Sequence, residues 1–182
     1  MRSALNTIQW CPGCGDFLAL MAIRNTLKKL NISRENTVIV SGVGCSGKIS
    51  QYIDGYAAET LHGRSVPFAI GVKLANPKLT VIAIGGDGDG YGIGLGHFLH
   101  ACRRNVDITY IVLDNENYAL TTGQSSPTTP VGIKTKSEPH GSVTPPLDPV
   151  AAAKLFGAWF AEAVIDRDMA ALSSTIERAI LH

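Results

Sequence analysis

Charge is the scarcest commodity in this chain of 182 residues, with only 17% charged positions and a net charge of +1. A near-neutral balance excludes general affinity for nucleic acid or other polyanions. Low charge beside 45% hydrophobic residues points to a surface partly buried against partner chains. Long apolar runs are missing too. None reaches the roughly 18–20 residues needed to span a bilayer. The N-terminus lacks the basic-then-apolar pattern of a secretory signal. Repeats and low-complexity tracts are absent. The expectation is a cytoplasmic, soluble protein that binds neither membrane nor nucleic acid, with enough chain for one domain.

Cysteine is sparse: Cys11, Cys14, Cys45 and Cys102. In a cytoplasmic chain these are not expected to form disulfides. Cys-x-x-Cys at Cys11 and Cys14 instead suits a metal, a cluster or redox chemistry. A structural Zn²⁺ half-site is the plainer alternative for that pair. For Cys102 the plainer alternative is a buried core thiol.

Against these absences stand apolar, β-branched runs at "TVIVS" (37–41), "TVIAI" (80–84), "ITYIVL" (108–113) and "WFAEAVI" (159–165). The first three are apolar almost throughout, as strands covered on both faces are. Helical periodicity appears over 16–30, 66–76, 94–104, 148–156 and 168–181. Asp148-Pro149 reads as an N-cap followed by proline at the first helical position. Strands alternating with helices predict an α/β fold, a parallel sheet flanked by helices. From Thr121 to Pro146 the chain is rich in Gly, Pro, Ser and Thr, and directly follows a strand end. In parallel sheets, sites form beyond the carboxyl ends of strands, so this stretch reads as a site or interface loop.

Three stretches carry chemistry. "GGDGDGYGIGLG" (85–96) follows the strand "TVIAI"; its glycines permit close backbone approach to a ligand, and helix-start N–H groups favour phosphate. Asp87 sits in that turn, where a carboxylate suits a hard cation. A Gly-rich turn packing a helix against the sheet is the bland alternative. "IVLDNENY" (111–118) closes another strand, and its Asn115 completes an oxygen set for Mg²⁺ if the two strand ends lie side by side. The bland alternative is a polar turn. Finally, "SGVGCSGKIS" (41–50) reads Gly42-x4-Gly47-Lys48, one residue short of a P-loop. Ile49 stands where the Mg²⁺-binding hydroxyl belongs, which argues against a nucleotide hydrolase using Asp114 as its strand-end acid.

Gly86-Asp87-Gly88 followed by Asn115 resembles the thiamine diphosphate motif. Together with "WCPGCGDF", "GVGCSGKI", "LHGRSVPFAIGVKLANP", "HACRRN" and "TTGQSSPTTP", it makes the chain similar to the β subunit of 2-oxoacid:ferredoxin oxidoreductases, nearest the 2-oxoglutarate type. The resemblance covers the length of the chain, residues 1–182, as a single thiamine diphosphate-binding domain with an N-terminal Cys-x-x-Cys segment.

This resemblance implies Mg²⁺ held by Asp87, Asn115 and the Asn117 backbone carbonyl. It implies diphosphate on the backbone N–H groups of Gly86, Gly88 and Asp89, with His62 and Gly63 lining the cofactor. Cys11, Cys14 and Cys45 match three ligands of a [4Fe–4S] cluster, since thiolates suit its soft iron. The fourth family ligand would fall beyond His182, so the resemblance implies a chain truncated at its C-terminus or one lacking the cluster. Lys48 matches a lysine associated with the distal carboxylate of a dicarboxylic oxoacid, and Leu120 a residue near the reacting carbon. An ordinary solvated lysine and a packing leucine are the alternatives.

The activity implied is coenzyme A-dependent oxidative decarboxylation of a 2-oxoacid, 2-oxoglutarate before pyruvate, with electrons passing to ferredoxin. A partner α subunit would supply the catalytic glutamate. A P-loop-like nucleotide-binding protein and a cluster-free, non-catalytic subunit are the competing functions.

Overall fold

The computed structural model describes residues 8–182. The extreme N-terminus, on which the reading of an absent signal rests, lies outside these residues. Four parallel strands, β1 (Thr37–Ser41), β2 (Tyr56–Glu59), β3 (Thr80–Gly86) and β4 (Thr109–Leu113), form one sheet in the order β2-β1-β3-β4. Among the described residues five α-helices accompany it: α1 (Asp16–Lys29), α2 (Ser65–Ala75), α3 (Leu95–Arg104), α4 (Pro149–Leu155) and α5 (Met169–Leu181). Among the described residues no helix is long and apolar enough to cross a membrane.

Strand periodicity divides the core. Ile39, Ile82 and Ile84 point to one face and pack with Leu20, Ile23 and Leu27 of α1 and Leu172 and Ile176 of α5. Val38, Val40, Val81 and Ala83 point to the other face and meet Ala69 of α2. Both sets are apolar because both faces are covered, so β1 and β3 are buried through most of their length. A third cluster, Tyr91, Phe98 and Ala153, ties α3 to α4.

Capping follows the sequence. Asp148 and Asp168 each accept a hydrogen bond from a backbone N–H three residues on, at 2.9 Å, and Pro149 opens α4. Asn105 ends α3 at φ 44°, in the left-handed region that asparagine tolerates.

Two expectations need correction. Residues 159–165 are not a strand. The Trp159 N–H is taken by the Asn105 side chain at 3.0 Å, and Glu162 is held by Arg178. Conversely, β2 arises from "YAAE", mostly exposed and with little apolar signal of its own. It forms because β1 offers a free edge, against which Tyr56–Glu59 runs in parallel register.

Parallel direction has one consequence for function. The carboxyl ends of all four strands open on the same side of the sheet, and the loops that follow them carry the chemistry-bearing residues.

Candidate functional site at the strand ends

β3 ends at Gly86, and Asp87 follows at once, 2% exposed. The chain then enters a π-helical turn, Gly88–Ile93, before α3. Beside it β4 ends at Leu113, and Asp114, Glu116 and Asn117 fold back through local bonds. Asp114 Oδ1 accepts the Glu116 N–H at 2.9 Å, and Asn115 Oδ1 accepts the Asn117 N–H at 3.2 Å. Glu116 takes φ 59° to make this bend. A short antiparallel hairpin, β5 (Asn117–Tyr118) and β6 (Gln124–Ser125), then leads into the long loop.

That loop is ordered by its own polar side chains and returns into the site. Thr129 donates to the Glu116 carbonyl at 2.6 Å, and the Leu147 N–H donates to the Pro127 carbonyl at 2.8 Å. Thr128 lands between two carboxylates, with its hydroxyl oxygen 3.1 Å from Asp87 Oδ2 and 2.8 Å from Asp114 Oδ1. A hydroxyl has one hydrogen to give, so it cannot donate to both. Burial raises the Asp87 carboxyl above the usual carboxylate range. The Ser126 hydroxyl opposes that rise and the Asp114 charge reinforces it. Nearby, the Asn117 side-chain oxygen is buried without a hydrogen-bond partner. Two carboxylates drawn to one hydroxyl offer oxygens that suit a hard divalent cation. β3 and β4 are adjacent, so the strand ends that precede Asp87 and Asn115 lie side by side.

Glycine at 88 is dictated by Tyr118. A Cβ there would sit 2.2 Å from Tyr118 Cε1, and the Tyr118 hydroxyl donates to the Gly88 carbonyl at 3.1 Å. Close backbone approach is thereby built into the turn. Gly63, at φ 69°, is equally constrained, because a Cβ would meet the Gly94 nitrogen at 2.7 Å.

Asp89 does something the sequence does not announce. Its carboxylate is buried and accepts from the Gly63 N–H at 2.8 Å, while His62 Nδ1 lies 2.8 Å away. It reaches the Val43 N–H at 3.4 Å as well. His62 stands edge-on to Tyr118, with ring centroids 6.2 Å apart.

Three amides of the loop after β1 serve the protein itself: Gly42 N–H goes to the Ile84 carbonyl, Val43 N–H to Asp89 and Lys48 N–H to the Cys45 carbonyl. Residues Ser46–Gln51 then form a 3-10 turn. Trp10 clamps the N-terminal segment here. Its indole donates to the Cys45 carbonyl at 2.9 Å, and its ring stacks edge-on against Phe17 and Tyr52. Cys14 and Cys45 pack against the same apolar cluster. Burial raises both thiols, and each is raised further by a neighbouring cysteine: Cys14 by Cys45, and Cys45 by Cys11. The three thiols therefore share one corner. Even so, among the described residues no three His, Cys, Asp or Glu side chains are gathered at metal-ligating spacing. Cys102 lies elsewhere, beside the α3–α4 cluster. Lys48 donates to Gln9 Oε1 at 3.0 Å. Leu120 sits half-exposed at the tip of the β5–β6 hairpin, apart from the core.

Sequence reasoning missed Thr128, Tyr118 and the Asp89 carboxylate. "TTGQSSPTTP" held the signal for the first of these, as a polar loop directly after a strand end. No local pattern marks the other two.

The comparisons with known proteins converge on one family. The family model for "Thiamine pyrophosphate enzyme, C-terminal TPP binding domain" matches residues 42–182. The chain is 48% identical over 175 residues to a 2-oxoacid:ferredoxin oxidoreductase subunit beta from Saccharolobus solfataricus, covering 95% of this chain and 57% of that one. It is 47% identical over 148 residues to a 2-oxoglutarate synthase subunit KorB from Archaeoglobus fulgidus, covering 81% and 55%. Among solved structures, a 2-oxoglutarate:ferredoxin oxidoreductase from Magnetococcus marinus, with 2-oxoglutarate, coenzyme A and succinyl-CoA bound, matches with a TM-score of 0.96. That match is at 35% identity and covers 98% of this chain and 62% of the other. The chain spans about half the length of the curated relatives it matches.

Proposed function

Since the chain belongs to the thiamine pyrophosphate enzymes, matching their C-terminal TPP-binding domain, we propose that it forms the diphosphate-and-metal half of a 2-oxoacid:ferredoxin oxidoreductase site. The observation that carries this reading is the convergence of two carboxylates, buried Asp87 and exposed Asp114, on the single hydroxyl of buried Thr128 beside the ends of β3 and β4. In this reading Asp87, Asn115 and the Asn117 carbonyl hold Mg²⁺. The N–H groups of Gly86, Gly88 and Asp89 receive the diphosphate, helped by the positive end of the turn that starts α3. His62 and Gly63 line the cofactor. Bound thiamine diphosphate supplies an electron sink for decarboxylating a 2-oxoacid.

Lys48 supplies a positive charge for the distal carboxylate of 2-oxoglutarate, and Leu120 shapes the pocket beside the reacting carbon. Names and titles of the relatives support coenzyme A as acyl acceptor and ferredoxin as electron acceptor. A partner α subunit supplies the catalytic glutamate, so activity belongs to the assembled enzyme. Cys11, Cys14 and Cys45 supply thiolates to a [4Fe–4S] cluster; their shared corner supports this. Cluster assembly would have to draw the three thiols closer together than they stand.

The test is reconstitution with the partner subunit. The reading expects 2-oxoglutarate- and coenzyme A-dependent reduction of ferredoxin, lost in Asp87→Ala. Iron and sulfide analysis after anaerobic purification separates the parts of the reading. About four irons with matching sulfide supports the cluster, whereas zinc without sulfide leaves the cofactor site standing and removes the cluster.

A further inference from the structure

Asp89 is an acid shut away from solvent at the start of the turn after β3. It is 4% exposed. Its Oδ1 collects donors from two other loops: Val43 after β1, and His62 and Gly63 after β2. Oδ2 is buried without a partner. Space for this carboxylate is made by glycines. A Cβ on Gly42 would fall 2.1 Å from Asp89 Oδ2, and one on Gly85 would fall 2.9 Å from it. Placing a carboxylate here costs desolvation that an apolar side chain would not incur, so its arrangement needs a reason beyond packing.

His62 provides one. Its side chain is 40% exposed, while Nδ1 is engaged by the buried acid. A carboxylate only accepts, so the neutral ring must carry its hydrogen on Nδ1. That leaves Nε2 without a hydrogen, on the ring's other edge. Free imidazole side chains favour the opposite tautomer. The ring is further fixed edge-on to Tyr118, which itself rests on Gly88.

We infer that Asp89 is a positioning residue: its buried carboxylate holds His62 in the Nδ1–H tautomer and so presents Nε2 as a hydrogen-bond acceptor beside the Gly88 turn. The inference rests on the proposed cofactor site, and it sharpens what His62 recognises there. An acceptor nitrogen suits an amine or hydroxyl hydrogen of the bound ligand and is unsuited to a diphosphate oxygen. Through Val43 and Gly63, the same carboxylate keeps the loops after β1 and β2 in register with the turn after β3.

The experiment is long-range ¹H–¹⁵N correlation on the full chain labelled at histidine, near pH 8, where a free imidazole is neutral. It is paired with calorimetric titration of thiamine diphosphate and Mg²⁺. Wild-type His62 is expected as Nδ1–H. Asp89→Asn, whose carbonyl still accepts, keeps that tautomer. Asp89→Ala shifts the majority to Nε2–H and weakens cofactor binding about tenfold, as loss of an orienting partner does. An Nε2–H ring in the wild-type chain, a measurement that needs no variant to fold, overturns the inference. So does an unchanged tautomer in Asp89→Ala. Absence of cofactor binding to a wild-type chain with the Nδ1–H ring would instead refute the cofactor site and leave the Asp89–His62 geometry intact.

Discussion

Thr128 and Asp87 are 41 positions apart in sequence, yet the Thr128 hydroxyl oxygen lies 3.1 Å from Asp87 Oδ2, both residues buried. A second carboxylate, Asp114, shares that hydroxyl. Thr128→Val keeps the shape and removes the one hydroxyl hydrogen that the two carboxylates share. Because a buried acceptor loses its donor, urea unfolding is expected to show about 1–2 kcal/mol of destabilisation. An unchanged midpoint would show that the hydroxyl bridges nothing of consequence.

Asp87 itself carries a pH signature. Its carboxyl is raised from the ordinary value of 3.8, chiefly by burial. The folded chain therefore holds that proton more tightly than the unfolded chain. The stability this contributes is full below 3.8 and is lost as pH rises through the folded-state value. Asp87→Asn removes this dependence and is expected to raise Tm at neutral pH in the metal-free chain. The same variant loses the stabilisation that Mg²⁺ with thiamine diphosphate provides. Thermal melts across pH, with and without those additives, check both halves.

Gly88 has no room for a methyl group while Tyr118 stands where it does. Gly88→Ala is expected to cost about 1–3 kcal/mol, the usual range for overpacking. Combining it with Tyr118→Ala is expected to recover part of the loss in a double-mutant cycle. Strictly additive costs would show that the two residues do not collide.

Trp10 secures the segment that carries Cys11 and Cys14. Trp10→Phe retains most of the ring and loses only the 2.9 Å bond to the Cys45 carbonyl. It is expected to leave secondary structure unchanged while raising the reactivity of Cys14 and Cys45 towards a maleimide, because their partial burial depends on that clamp. Equal labelling rates in variant and wild type would contradict the clamp.

For substrate choice, Lys48→Ala in the assembled enzyme is expected to raise KM for 2-oxoglutarate roughly tenfold or more, as loss of a charge-assisted contact does, and to affect pyruvate little. Equal losses for both substrates would remove Lys48 from specificity.

Much of this architecture is legible in the amino-acid order, for physical reasons. β1 and β3 are covered on both faces, so "TVIVS" and "TVIAI" are continuous apolar runs, and aspartate caps mark where α4 and α5 begin. β2 is hidden because an edge strand facing solvent needs no apolar signal, only a neighbour with free backbone groups. "WFAEAVI" misleads in the other direction, since apolar alternation makes no strand where a side chain has taken the backbone N–H. At the site, Asp87 and Asn115 are readable because they lie within two residues of a strand end. Thr128 and the Asp89 carboxylate are not, because their partners come from distant loops and exist only once the sheet has aligned the strand ends. The near-P-loop at Gly42–Lys48 is a case of shared spacing with different use: Gly42 makes space for Asp89, and the amides of Gly42, Val43 and Lys48 are bonded within the fold.

Calorimetric titration of the chain with thiamine diphosphate and Mg²⁺, run beside ATP and Mg²⁺, bears most directly on the central claim. Saturable, Mg²⁺-dependent binding of thiamine diphosphate that disappears in Asp87→Asn, with no binding of ATP, is the predicted result. Binding that survives Asp87→Asn, or binding of ATP in place of thiamine diphosphate, would contradict it.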